Sequence, residues 1–301
     1  MSLTLRSGLS LGATTTLPPA ILTASLTAGT LGTAYSVQLE GAGISTWTLV
    51  SGAPNGVTLS SSGVLSGTPN QSGTFASIIV RGVGSGGVVQ KTLSLTVASL
   101  TFDFATDLTG WTVYEGVGAT CAITSGQMRC QGAAGSGAWN NYQIYSGWSV
   151  ITIEWDGTLA ATSNCDFFPA LATELAEKHF HSSFTPYVDD AIAADITGSG
   201  AGEKIYTTAA HGATATPYNP GNIISADTTQ KHYKVVFTKV TEGTINVKVY
   251  YDNSETDSYG GSGQDITGQE TLTGNAVYAG LLAWDVGTNP VDFDNFVLSV
   301  T

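Results

Sequence analysis

Two β-sandwiches in tandem, an all-β chain, are what this sequence predicts, and three observations carry the expectation. Gly is abundant (37 of 301 residues) and only 11% of residues are charged, a mixture that favours strands and turns over long helices. The 29 residues from Trp47 to Phe75 alternate short apolar runs with turn signals. Finally, hydrophobic strand patterns at 100–104 and 291–300 enclose about 200 Gly-rich residues, as the paired end strands of one larger sandwich would. A chain of 301 residues is long enough for two domains that each bury a core.

Residues 1–17 are polar and rich in Ser, Thr and Gly, with too little apolar surface to fold alone. They read either as a frayed terminus or as an extended N-terminal arm. In the second reading SLTLRSG, which alternates Leu with polar residues, adds a strand to the sheet edge of a neighbouring subunit.

Seven short strands are expected across residues 18–98, at 21–26, 35–39, 47–50, 57–59, 64–66, 75–83 and 88–97. Pro54-Asn55-Gly56 turns the chain after the Trp47 strand. Ser62-Gly63 is a two-residue hairpin signal between Leu59 and Leu65, because Gly tolerates the positive φ of a primed turn. Trp47 is expected in the core, packed on aliphatic side chains, since this stretch holds no Cys. The order of a Trp strand, a Pro-Asn-Gly turn, GVTLSSSGVLSGTP and then SGTF resembles the immunoglobulin-like module of bacterial surface and phage structural proteins. That resemblance implies a spacer or adhesion unit without catalytic residues.

A boundary is expected near Ala98-Ser99, and residues 99–301 are expected to form the second domain. Strands are expected at 149–155, 231–239, 244–251 and 276–284, with Val240-Thr241-Glu242-Gly243 joining the middle two. FPALATELAEKHF is the one helix expected, and 185–228 reads as a long irregular stretch. In CAITSGQMRC, a two-residue turn at Ser125-Gly126 pairs Thr124 with Gln127, Ile123 with Met128, Ala122 with Arg129 and Cys121 with Cys130. The two sulfurs are then adjacent, bonded or not according to redox surroundings, with Cys165 unpaired. FDFATDLTGW, this hairpin and the closing VDFDNFVLSV together resemble the jelly-roll carbohydrate-binding and concanavalin-A-like lectin or laminin-G-like superfamily. The resemblance implies a lectin-like sandwich.

Four residue groups could carry chemistry. WNNYQIYSGW sets Trp139, Tyr142 and Trp148 beside amides such as Asn141, and aromatic faces with amides suit sugar recognition; the same residues would equally serve as sandwich core. Asp103, Asp107, Asp292 and Asp294 lie on the two end strands or next to them. Their pairing would gather hard oxygen ligands suited to a structural Ca²⁺, or leave edge charges that discourage strand addition. Glu154 and Asp156 share one strand face, as in glycanases of the concanavalin-like superfamily, but Gly157 and Thr158 follow where a third carboxylate would be needed, so no catalytic residue is assigned. His179 and His181 have same-face spacing, with Asp189 and Asp190 nearby, and read as solvated loop residues.

Charge narrows the partners. The formal net charge is −13, and residues after 98 hold 22 acids against 7 bases, which disfavours nucleic acid. No run approaches a membrane span, and the N-terminus lacks the pattern of an export signal. Together with the first resemblance, these features lead to a non-enzymatic phage virion protein: a capsid decoration, fibre or tail-associated component, made in the bacterial cytoplasm and placed on the virion surface. Its arm and first module would contact other virion proteins, its second domain a host-surface glycan, and its copies would form a homo-oligomer. The alternatives are a bacterial extracellular adhesin or carbohydrate-binding module and, third, a concanavalin-like glycan hydrolase.

Overall fold

A computed structural model of the chain describes residues 17–132, 135–159, 165–174, 191–197, 204–208, 216–218, 229–241, 243–251, 254–258, 264–265, 272, 274–285 and 289–301. Contacts divide the chain into two compact units. One comprises residues up to Gly29 with Thr33–Pro69 and Thr74–Val97; the other comprises Ala98–Thr301 with Thr30–Gly32 and Asn70–Gly73. The architecture is all-β, and no described helix is long and apolar enough to cross a membrane.

In the smaller unit a four-stranded sheet runs in the order Gly29–Thr30, Gly87–Ala98, Gly73–Gly84, Thr46–Ser51. A three-stranded sheet runs Tyr35–Gln38, Val64–Gly67, Val57–Leu59. Alternation along the long strands turns Ile78 and Val80, and Leu93 and Leu95, into a core that also holds Leu65 and Trp47. Trp47 is therefore a core residue, as its surroundings in the sequence predicted.

Two local expectations change here. The strand expected over 21–26 stops at Ile21, which pairs with Gly41, because the amides of Leu22 and Thr23 both converge on the single carbonyl of Glu40 instead of continuing a ladder. The hairpin expected between Leu59 and Leu65 forms, but Leu59 pairs with Leu65, so its turn is one residue longer than Ser62-Gly63 and the register differs by one. The Gly63 amide donates to the Ser60 carbonyl, and Gly63 sits at φ 92°, which makes Ser61, Ser62 and Gly63 a three-residue loop with Gly in the left-handed position.

The larger unit is built on two antiparallel sheets. The first runs Thr120–Thr124, Gln127–Gln131, Val291–Val300, Val150–Leu159, Lys231–Thr241, Thr244–Tyr251, Ser254–Ser258. Off that path Leu100–Phe102 pairs with Val291–Val300, and Gln264–Asp265 pairs with Thr244–Tyr251. Period-2 alternation gives this sheet an apolar face: Ile151, Ile153 and Trp155 lie in register with Tyr233, Val235 and Phe237, all fully buried. The opposite face carries Thr152, Glu154, Asp156, His232 and Lys234, and is half exposed.

The second sheet runs Trp111–Glu115, Ser136–Asn140, Tyr278–Asp285, Cys165–Ala172, Ala191–Thr197, Lys204–Thr208, Thr216–Tyr218. Phe167 projects from it into the core between the sheets, with ring centroids 5.7 Å from Trp155, 4.9 Å from Tyr233 and 5.1 Å from Phe293. Its other face is buried as well: Trp139, Phe168, Ala170, Ala172, Ala193 and Leu282 form a second apolar cluster.

That double burial accounts for the main misreading of the sequence. The helix expected in FPALATELAEKHF is, where described, the end of the strand Cys165–Ala172; an apolar run covered on both faces loses the period-2 signature. The stretch expected to be irregular at 185–228 contains the strands Ala191–Thr197, Lys204–Thr208 and Thr216–Tyr218. The strands expected at 149–155, 231–239, 244–251 and 276–284 are all present.

The disulfide hairpin matches its predicted register pair for pair, Thr124 with Gln127 through Cys121 with Cys130. Ser125 and Gly126 take φ values of 53° and 80°, which is the primed-turn geometry. Cys121 and Cys130 are joined by a disulfide, with Cα atoms 4.1 Å apart, and both are buried.

Candidate functional site

The aromatic-amide run divides into two pairs. Trp139 is fully buried and pairs in register with Gly280, over whose Cα its indole lies so closely that a Cβ there would come within 2.6 Å of the ring. Trp148 is equally covered, with the Lys239 ammonium 4.3 Å from its ring centroid; burial pushes that ammonium's pKa down. A covered indole cannot stack on a sugar, so for these two the core reading replaces the carbohydrate-binding one. Asn141 and Tyr142 stay nearer solvent. Asn141 Oδ1 accepts from Thr112 Oγ1 at 2.8 Å, and the Tyr142 amide donates to Asn140 Oδ1 at 2.9 Å. Burial, with neighbouring Tyr145 as a lesser cause, pushes the Tyr142 phenol up to about 12.

The four aspartates do not assemble into the Ca²⁺ site expected of them. Asp103 Oδ1 accepts from the Ala105 amide at 3.0 Å, and Asp107 Oδ1 from the Thr109 amide at 2.8 Å. Both are local turn caps, and the second holds the Asp107 carboxyl below its ordinary pKa. Asp292 is buried and receives two bonds of 2.7 Å from Arg129, Nε to Oδ1 and Nη2 to Oδ2, a bidentate pair that neutralises it. Asp294 Oδ1 accepts from the Asn295 amide. No group of three or more His, Cys, Asp or Glu residues among the described residues is placed to hold a metal ion. His179, His181, Asp189 and Asp190 lie outside the described residues.

Glu154 and Asp156 share one face of Val150–Leu159, as their spacing requires, and His232 stands between them. Its Nδ1 lies 2.9 Å from Asp156 Oδ1 and its Nε2 3.2 Å from Glu154 Oε2. An imidazole can donate to both carboxylates at once only when both ring nitrogens carry protons. Asp156 has a further partner in Asn295, whose Nδ2 donates to Oδ2 at 2.8 Å.

Asn295 opens onto a concavity in this unit. Two strands share one edge of Val291–Val300: Gln127–Gln131 pairs with Val291, Asp292 and Phe293, and Leu100–Phe102 with Phe296, Val297 and Leu298. Asp294 and Asn295 are paired by neither. The buried residues Val291, Phe293, Phe296, Leu298 and Val300 change phase at this point, Asn295 takes φ 47°, and the register to Val150–Leu159 shifts between Glu154 and Asp156. This is a β-bulge, and Asn tolerates its left-handed backbone.

The gap holds a cleft of about 450 Å³ lined by Thr101, Phe102, Asp103, Asn295, Phe296 and Val297. Its aromatic side is fixed by Trp111, whose ring centroid is 5.4 Å from that of Phe102 and 4.8 Å from that of Phe296. Phe104, itself at φ 50°, packs 5.2 Å from Trp111 on centroids. Of the residues expected at a site, only Asp103 lines this cleft.

Asn295 and His232 were not among the residues expected at a site. The three-residue step from Phe293 to Phe296, in a strand that otherwise alternates by two, is the sequence signal that could have exposed the bulge and so Asn295. No such signal exists for His232, because no turn fixes the register between Val150–Leu159 and Lys231–Thr241.

No family model matches this sequence, and no curated protein does. Among solved structures, the chain is similar to the carbohydrate recognition domain of Emp46p in its potassium-bound form, at 12% identity and a TM-score of 0.49, over 67% of this chain and 96% of that one. It is also similar to lectin II from Ulex europaeus, at 11% identity and a TM-score of 0.47, over 67% and 98% of the two chains. A third likeness is to the carbohydrate binding module CBM66 from Bacillus subtilis, at 17% identity and a TM-score of 0.41, over 63% and 95%. No residue role passes to this chain from likenesses of this size.

Proposed function

We propose that the larger unit is a non-enzymatic carbohydrate-binding domain whose ligand lies in the cleft between Leu100–Phe102 and the bulge at Asn295. The observation that carries this reading is the make-up of the cleft, with the half-buried Phe102, backed by the fully buried Phe296, beside the polar groups of Asp103, Asn295 and Thr101 in about 450 Å³. That volume suits small-ligand sites. A sugar ring offers an apolar CH face and a rim of hydroxyl donors, which the Phe102 ring and these polar groups complement. Turnover is disfavoured because Glu154 and Asp156 are both engaged by His232, and Asp156 by Asn295 as well. A retaining glycosidase needs two carboxyls free to act as acid and nucleophile.

The setting of the domain is the second part of the proposal. The likeness of residues 18–98 to modules of phage structural proteins supports a virion surface component, anchored through that module and residues 1–17 in repeated copies, with the carbohydrate-binding domain meeting the host-surface glycan. A glycan array probed with the full chain and with Asn295→Ala is expected to give binding that the substitution weakens about tenfold or more, as for a lost hydrogen-bonding group at a site. Binding indifferent to Asn295→Ala would move the site elsewhere, and release of reducing ends from a bound glycan would replace the non-enzymatic reading. Mass spectrometry of purified virions decides the setting.

A further inference from the structure

We infer that the cleft selects a glycan bearing a free amine, an amino sugar in its cationic form; the inference rests on the carbohydrate-binding reading above. Hydrogen-bonding capacity at the cleft is biased toward acceptance. Asp103 spends Oδ1 on the Ala105 amide, which leaves Oδ2 without a partner among the described residues. Asn295 spends one of its two Nδ2 hydrogens on Asp156, which leaves Oδ1 and a single N–H. Thr101 adds a hydroxyl, and among the described residues no Lys, Arg or His lines the cleft.

The surrounding charge has the same sign. Asp294 adjoins Asn295 in sequence, and Asp156 is one hydrogen bond away from it. Arg129, the cation on the strand that ends beside the bulge, is committed to Asp292 by both of its bonds. An anionic sugar would meet repulsion in such a place, whereas an ammonium would gain a charge-assisted bond to Asp103. The same cleft holds Phe102, and an aromatic ring face attracts cations. Among its described residues the unit already uses that interaction, with Lys234 Nζ 4.4 Å from the centroid of Tyr250 and Lys239 Nζ 4.3 Å from that of Trp148.

The test is a calorimetric titration of the full chain with four matched oligosaccharide series: β-1,4-glucosamine, its N-acetylated form, the neutral glucose analogue and a uronic acid. Each is run on the wild type and on Asp103→Asn, which keeps an acceptor for the Ala105 amide; thermal melting confirms that the variant is folded. The expected result is binding of the amine series about tenfold tighter than the N-acetylated one, weakened by added salt, with the preference lost in Asp103→Asn. Equal affinity for the amine and acetyl forms, or preference for the neutral or acidic series, overturns the inference and leaves carbohydrate binding standing. An amine preference that survives Asp103→Asn is general attraction to a chain of net charge −13 and overturns it too. Binding of none of the four, together with a blank glycan array, removes both readings.

Discussion

Trp139→Ala is expected to cost about 3–5 kcal/mol of folding stability, because the indole is fully buried and packs over Gly280. Asn141→Ala, one step from a residue pair along the same run but exposed, is expected to change stability by no more than about 0.5 kcal/mol. Urea denaturation of the two variants checks the contrast, and similar costs would mean that the assignment of Trp139 to the core is wrong. At Tyr142 the raised pKa has a definite pH signature. The unfolded phenol gives up its proton near 10.0, while the folded one holds it to about 12. Its contribution to stability is therefore full below pH 10 and is lost as pH rises through 12. Stability measured from pH 9 upward should fall less steeply in Tyr142→Phe than in the wild type; parallel curves would show that the phenol is not held in this way. The sequence told that WNNYQIYSGW was special but not which residues faced out, since strand spacing cannot show that both faces of Ser136–Asn140 are covered.

Among the elements, the disulfide hairpin is the one whose geometry could be counted out from its turn. Reducing Cys121–Cys130, or replacing both residues by Ala, is expected to destabilise the chain by at most ~2–3 kcal/mol, because a bond that closes so short a loop removes little freedom from the unfolded chain. A melting-temperature shift corresponding to more than about twice that would mean the bridge does more than pin one hairpin. The hairpin was legible because Ser125-Gly126 fixes every pair beyond it. Turn chemistry likewise revealed the hairpin between Leu59 and Leu65, though not its three-residue loop, and the neighbouring strands Lys231–Thr241 and Thr244–Tyr251. Where strands meet without a connecting turn, as Val150–Leu159 meets both Lys231–Thr241 and Val291–Val300, nothing local sets the register. The site built there, His232 against Asp156 and Asn295 against Asp156, stayed out of view for that reason. Cys165–Ala172 was hidden differently: a strand apolar on both faces has no alternation to read.

At the scale of the whole chain, one pairing has a temporal consequence. Leu100 lies opposite Leu298, and Ile151 opposite Val300, so the strand made last in this stretch occupies the middle of the larger sheet. On a ribosome adding 5–20 residues per second, Leu100 waits roughly 10–40 s for its neighbour to be synthesised. In the last part of that interval, once Lys231–Thr241 has been made, the nascent polypeptide carries Ile151, Ile153 and Trp155 with one flank of their strand open, in the condition that invites strand exchange between neighbouring chains on a polysome.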